Sequence, residues 1–169
     1  MKPIIKKDLV LAIDFDGSCV THEYPNIGTN IHGAVETLQA LVSKGHKLIL
    51  NTMRHGPYLA AAEKWFADND ITLYASQRNP QQDTWSDSPK CYAHIYIDDA
   101  ALGCPLIYPK DGSRPIVDWV NVQKFLINRF ILGEVNPKWE DKKQYFVKFN
   151  FYESEQHCTC RVISNTNIQ

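Results

Sequence analysis

No apolar stretch in the chain approaches the roughly 20 residues that cross a bilayer as a helix. An excess of one charge is missing too: 18 Lys and Arg against 19 Asp and Glu leave a net charge of −1. A chain so nearly neutral does not read as a nucleic-acid coat or a membrane-surface binder, whose affinity would rest on a basic patch. A local basic groove stays open. The five cysteines (Cys19, Cys91, Cys104, Cys158, Cys160) are odd in number and scattered, which fits reduced thiols better than a disulfide framework. The first residues, MKPIIKKDLV, show no secretory-leader pattern. The expected compartment is the cytoplasm, with no membrane partner. What is there, 44% hydrophobic and 22% charged residues, is the composition of an ordinary globular domain.

The apolar pattern predicts an α/β fold. Leu9–Ile13 is a continuous apolar run, as expected of a strand covered on both faces. His32–Lys44 has helical spacing and meets a stop at Gly45. Lys47–Leu50, Ile71–Ala75 and His94–Ile97 read as further strands, and Pro57 can open a helix between the first two of these. Strand and helix in alternation predict a doubly wound parallel sheet. A last helix is expected from Asp118, as N-cap, to Gly133. Beyond it the alternation in Tyr145–Tyr152 and the run Cys158–Ile163 suggest a β-hairpin. The expected division is a core over 1–132 and a hairpin extension over 133–169. His157, Cys158 and Cys160 lack the partner cluster of a zinc site, and strand alternation explains the two cysteines better.

Ligands of open parallel sheets bind beyond the carboxyl ends of the strands. Asp14-Phe15-Asp16-Gly17, Asn51-Thr52-Met53-Arg54 and Asp98-Asp99 fall at such ends, and Lys90 lies shortly before the fourth strand. Four carboxylates near one point call for a hard divalent cation with oxygen ligands. Mg2+ suits such a place, because it shares its shell with water and substrate phosphate. Residues two apart on a strand face one side, so Asp14 and Asp16 can address one phosphorus, one attacking and the other moving protons. Gly17 permits a tight turn close to the ligand.

These motifs resemble those of the haloacid dehalogenase-like phosphohydrolases over about residues 9–132: LVLAIDFDGS, LILNT, Lys90 and IYIDD. The resemblance implies Asp14 as nucleophile and metal ligand. It implies Asp16 as general acid/base, its carbonyl also touching the metal. Thr52 would bond the phosphoryl oxygens, Lys90 would neutralise charge, and Asp98 and Asp99 would complete the metal site. Gly17, Met53 and Arg54 stand as substrate-side residues. Arg78 competes with Lys90 for the basic role. Asp98 or Asp99 could instead cap the turn that follows, and Arg54 could simply be solvated.

Members of that superfamily usually carry a cap domain. Here Ser18–Ile31 and Ser76–Pro89 are both too short for one, since domains below roughly 40 residues rarely fold unaided. A capless site implies a large substrate, closure by a second copy in a homo-oligomer, or a lid made by a loop or the C-terminal hairpin. His22, Tyr24 and Asn26 lie on the loop that would overhang the site. The expected function is a Mg2+-dependent phosphatase acting on a small molecule, a nucleotide or a macromolecular terminus. The alternative is a non-catalytic binding protein on the same scaffold.

Overall fold

The structure is a computed structural model, and it describes residues 8–129, 131 and 132. Four short strands make a parallel sheet: β1 (Val10–Ile13), β2 (Lys47–Leu50), β3 (Leu73–Ser76) and β4 (Ile95–Ile97). Their order is β3-β2-β1-β4. The chain moves outward from β1 through β2 to β3, then crosses back to the far side of β1. The switch in direction falls between β1 and β4, where such sheets bind ligands. The fold is α/β and Rossmann-like, as the alternation predicted.

Three helices, α1 (Ala34–Ser43), α2 (Gly56–Asp68) and α3 (Trp119–Asn128), follow their sequence signals. Helix α1 ends where Gly45 takes φ +88°, with Gly45 N–H donating to Val42 O and His46 N–H to Leu41 O. This pair of bonds satisfies carbonyls that the helix end would otherwise leave open. Pro57 sits in the first turn of α2. Asp118 caps α3 through its carboxylate, which accepts from Asn121 N–H.

Several boundaries moved, two of them for a plain reason. Strand β3 starts at Leu73 rather than Ile71, because Ile71 closes α2, its N–H donating to Phe66 O. Helix α3 stops at Asn128, short of Gly133, where the chain turns back so that Ile131 N–H donates to Leu126 O and Ile131 and Leu132 are buried.

The two faces of the sheet are covered differently. Leu11, Ile13, Leu48 and Leu50 share one apolar cluster with Leu38 and Leu41 of α1, Ala62 and Phe66 of α2, and Trp119, Val122 and Leu126 of α3. Val10, Ala12 and Ile49, on the alternate positions, pack with Cys91 and Ala93 from the β3–β4 connection. That connection carries only a 3-10 turn, Pro80–Thr84. The double winding expected from the sequence is thus present in the path of the chain, while the second layer is irregular backbone rather than α-helix. Its sequence, NPQQDTWSDSPK, is rich in proline, serine and aspartate, which favour turns over helix interiors.

A short antiparallel ribbon, β5 (Leu106–Ile107) and β6 (Ile116–Val117), was not foreseen. It borders the β1 exit: Val117 N–H donates to Gly17 O. Among the described residues no domain is inserted in either expected cap position, and no helix is long and apolar enough to cross a membrane. The expected hairpin within 133–169 lies outside the described residues.

Candidate functional site

Pairing of Ile13 with both Leu50 and Ile97 sets the next residue of each strand side by side. Asp14 N–H donates to Ile97 O at 2.9 Å, which brings Asp14 beside Asp98. Carboxylate oxygens of Asp14, Asp98 and Asp99 all lie within 4.8 Å of one another. Ser18 knits the group together: its hydroxyl donates to Asp14 Oδ2 at 2.9 Å and accepts from Asp99 N–H at 3.2 Å. Asp98 also caps the following turn, its Oδ1 accepting from Ala100 N–H at 2.8 Å. The capping role and membership of the cluster therefore coexist in one residue.

Burial acts first on Asp14. Loss of water pushes its carboxyl up to about 7, and the negative charges of Asp98 and Asp99 push the same way, against hydrogen bonds from Phe15 N–H and the Ser18 hydroxyl. Burial also raises Asp99, opposed chiefly by His22. The His22 ring reaches Asp99 with Nε2 3.4 Å from Oδ2. The same nitrogen is 3.0 Å from Pro115 O, a pure acceptor, so Nε2 carries the proton. Gly17, with φ +88°, lies under that ring. A Cβ there would collide with the imidazole and come within 2.9 Å of Asp99 Cγ. Glycine at 17 thus makes room for the His22–Asp99 contact, a reason the turn motif did not reveal.

Asp16 faces elsewhere. Both of its oxygens accept from Arg54, at 2.7 Å from Nε and 2.7 Å from Nη2. Its side chain stands outside the three-acid group. Its carbonyl is not used by the bonds that close the loop, which run from Val20 N–H to Phe15 O and from Gly17 N–H to Val20 O.

Arg54 requires a correction. Neither a solvated nor a substrate-facing arginine, it is buried, with its N–H groups committed to Asp16 and to the carbonyls of Pro25 and Asn26. Met53 beside it is 94% exposed. Thr52 Oγ1 accepts from Arg54 N–H at 3.2 Å.

Sequence reasoning missed Gln77. In left-handed backbone at φ +63°, it clasps the turn after β2: its Oε1 accepts from Thr52 N–H, and its Nε2 donates to Thr52 O and Arg54 O. An unusual backbone position cannot be read from a glutamine in a sequence.

The cations expected near Asp14 are placed apart from it. Lys90 is exposed, makes no ion pair among the described residues, and holds its ammonium 5.9 Å from the Tyr96 ring centroid. Arg78 pairs with Asp83. Arg114, on the β5–β6 ribbon's connection, approaches Asp99 at 3.9 Å and is largely exposed. Of the overhanging loop, Tyr24 stacks on the Arg54 guanidinium at 5.3 Å and meets the Tyr58 ring edge-on.

Fold and site define an α/β protein with a three-acid cluster at the switch point of a parallel sheet. The solved structure of a conserved protein from Bacteroides thetaiotaomicron is similar to it, with 32% identity and a TM-score of 0.61 over 73% of this chain and 93% of that one. The chain belongs to the same family as that protein. No protein-family model matches the chain, and neither does any curated protein.

Proposed function

We propose that the chain is a Mg2+-dependent phosphomonoesterase of the haloacid dehalogenase-like type, working through an aspartyl-phosphate on Asp14. The observation that carries this reading is the cluster of Asp14, Asp98 and Asp99 at the switch point, two residues from a second, separately held carboxylate on Asp16. The donor set fits a hard divalent cation: three carboxylates crowd together, and burial, with the neighbouring charges of Asp98 and Asp99, raises the Asp14 carboxyl to about 7. Asp14, Asp98 and Asp99 would hold the ion, with the Asp16 carbonyl available as a further oxygen. When bound, the ion supplies charge neutralisation for the phosphoryl group.

In the chemical steps, an Asp14 oxygen attacks phosphorus and the bond to the leaving-group oxygen breaks. Asp16, which must first take up a proton on a lone pair outside the Arg54 fork, gives that proton to the departing oxygen. The Asp16 carboxylate then takes a proton from water as the water attacks phosphorus, and the bond to Asp14 breaks. Thr52, two residues beyond the end of β2, would bond the phosphoryl oxygens. The substrate is a phosphomonoester of a small molecule, a nucleotide or a macromolecular terminus, reached without a cap, with a second copy as a candidate for closure. We place the enzyme in the cytoplasm, where the free thiols of Cys19, Cys91 and Cys104 persist.

A non-catalytic binding protein is the second reading. It draws support from Lys90, whose ammonium lies over Tyr96 rather than against Asp14. Turnover of 4-nitrophenyl phosphate with and without Mg2+ separates the two readings. Hydrolysis that disappears on chelation and returns with Mg2+ supports the enzyme. Phosphate binding without turnover, across a panel of metabolites, nucleotides and phosphorylated oligonucleotides, supports the binding protein.

A further inference from the structure

The Arg54 side chain is 1% exposed. Withdrawing a guanidinium from water is costly unless its N–H groups and charge are matched. The match here is close to complete. Nε and Nη2 grip the two oxygens of Asp16 as a fork, Nη2 also donates to Asn26 O at 2.7 Å, and Nη1 donates to Pro25 O at 3.1 Å. Phe15 and Tyr24 lie against the guanidinium, with ring centroids 5.0 and 5.3 Å from its carbon. One side chain therefore joins three pieces of chain: the exit of β1, the turn after β2, and the overhanging loop at Pro25–Asn26. A planar fork fixes the carboxylate plane in a way a point charge does not. A carboxylate offers about four lone-pair sites, so two remain for proton exchange.

We infer that Arg54 is a positioning residue: it sets the direction of the Asp16 carboxylate and ties it to the loop, so that the proton-transfer group and the loop take up one arrangement together. Arg54 touches no substrate atom in this account and acts through Asp16. The inference rests on the phosphatase reading above.

Leaving groups of different basicity test it. A 4-nitrophenolate departs without a proton, while an alkoxide needs one, and kcat/KM reports the steps up to that departure. Arg54→Ala should lower kcat/KM for an alkyl phosphate by about 10²-fold, within the usual weight of general acid catalysis, and for 4-nitrophenyl phosphate by much less. Combined with Asp16→Asn it should add little further loss, as expected of residues acting as one unit. Arg54→Lys keeps the charge without the fork and should show the same leaving-group bias. It carries the test if the alanine variant does not fold. Equal losses on both substrates, or losses that simply multiply with Asp16→Asn, would overturn the inference and leave the phosphatase reading standing. A wild-type protein inactive on both substrates with Mg2+ would overturn both.

Discussion

Asp14 and Asp98 stand at the ends of two paired strands, whereas Lys90 and Arg78 stand on the irregular run between β3 and β4. The first pair meets because Ile13 and Ile97 are in register, and parallel neighbours lie about 4.8 Å apart. No comparable constraint acts on the second pair. Each has found a local partner instead, an aromatic ring for Lys90 and Asp83 for Arg78. A sheet transmits position from backbone to side chain; a turn-rich segment of the same length leaves it to nearby contacts. Acids and cations that look equally well spaced in the sequence are therefore placed with unequal certainty by the fold.

The sharpest way to test that contrast is to remove the strand-end acid. Asp14→Asn should abolish phosphatase turnover while circular dichroism and melting behaviour persist; near-native rates on the best substrate would remove the nucleophile assignment. Asp16→Asn should cost roughly 10²–10⁴ in kcat, the ordinary range for acid–base catalysis. Lys90→Ala and Arg78→Ala should each cost less than about tenfold, below the range just given for an acid–base group. A loss in either that matches Asp14→Asn would break the comparison, by showing that substrate draws the connection across to the nucleophile.

Smaller effects should appear without any substitution, in the pH dependence of stability. The Asp14 carboxyl is raised to about 7 in the folded protein from an ordinary 3.8. A raised value means that the folded chain binds the proton more tightly than the unfolded chain. That contribution is fully present below 3.8 and is lost as pH rises through about 7. The metal-free protein should thus melt at progressively lower temperature as pH rises from about 4 to about 7, and level off above that. Mg2+ competes with the proton for Asp14, so its stabilisation should grow over the same range, reaching about 2.7 kcal/mol at one hundred times its dissociation constant. Calorimetry at several pH values checks both signs. A Mg2+ effect that does not vary with pH would place the ion away from Asp14.

The same contrast explains what could be read from the sequence. The parallel sheet, the three helices and the meeting of Asp14 with Asp98 were legible, since continuous apolar runs, Gly45 and Asp118 encode them locally. Arg54 was not, because nothing in Thr52-Met53-Arg54 tells that the guanidinium turns inward to Asp16. Gln77 and His22 act through a left-handed backbone and a space left by Gly17, which are properties of the folded chain alone. The β5–β6 ribbon was missed because two-residue strands carry too little alternation to register.

Trp119 gives the site an optical dimension. Its indole is fully buried, and its N–H donates to Ser18 O at 2.6 Å. The Ser18 hydroxyl in turn joins the Asp14 carboxylate to the Asp99 amide. A chromophore whose excited-state dipole senses the nearest carbonyl is thus wired, through a single serine, to the acids at the end of β1. An ion that binds those acids as proposed should therefore alter the emission of Trp119, read as a label-free change over the background of the chain's three other tryptophans.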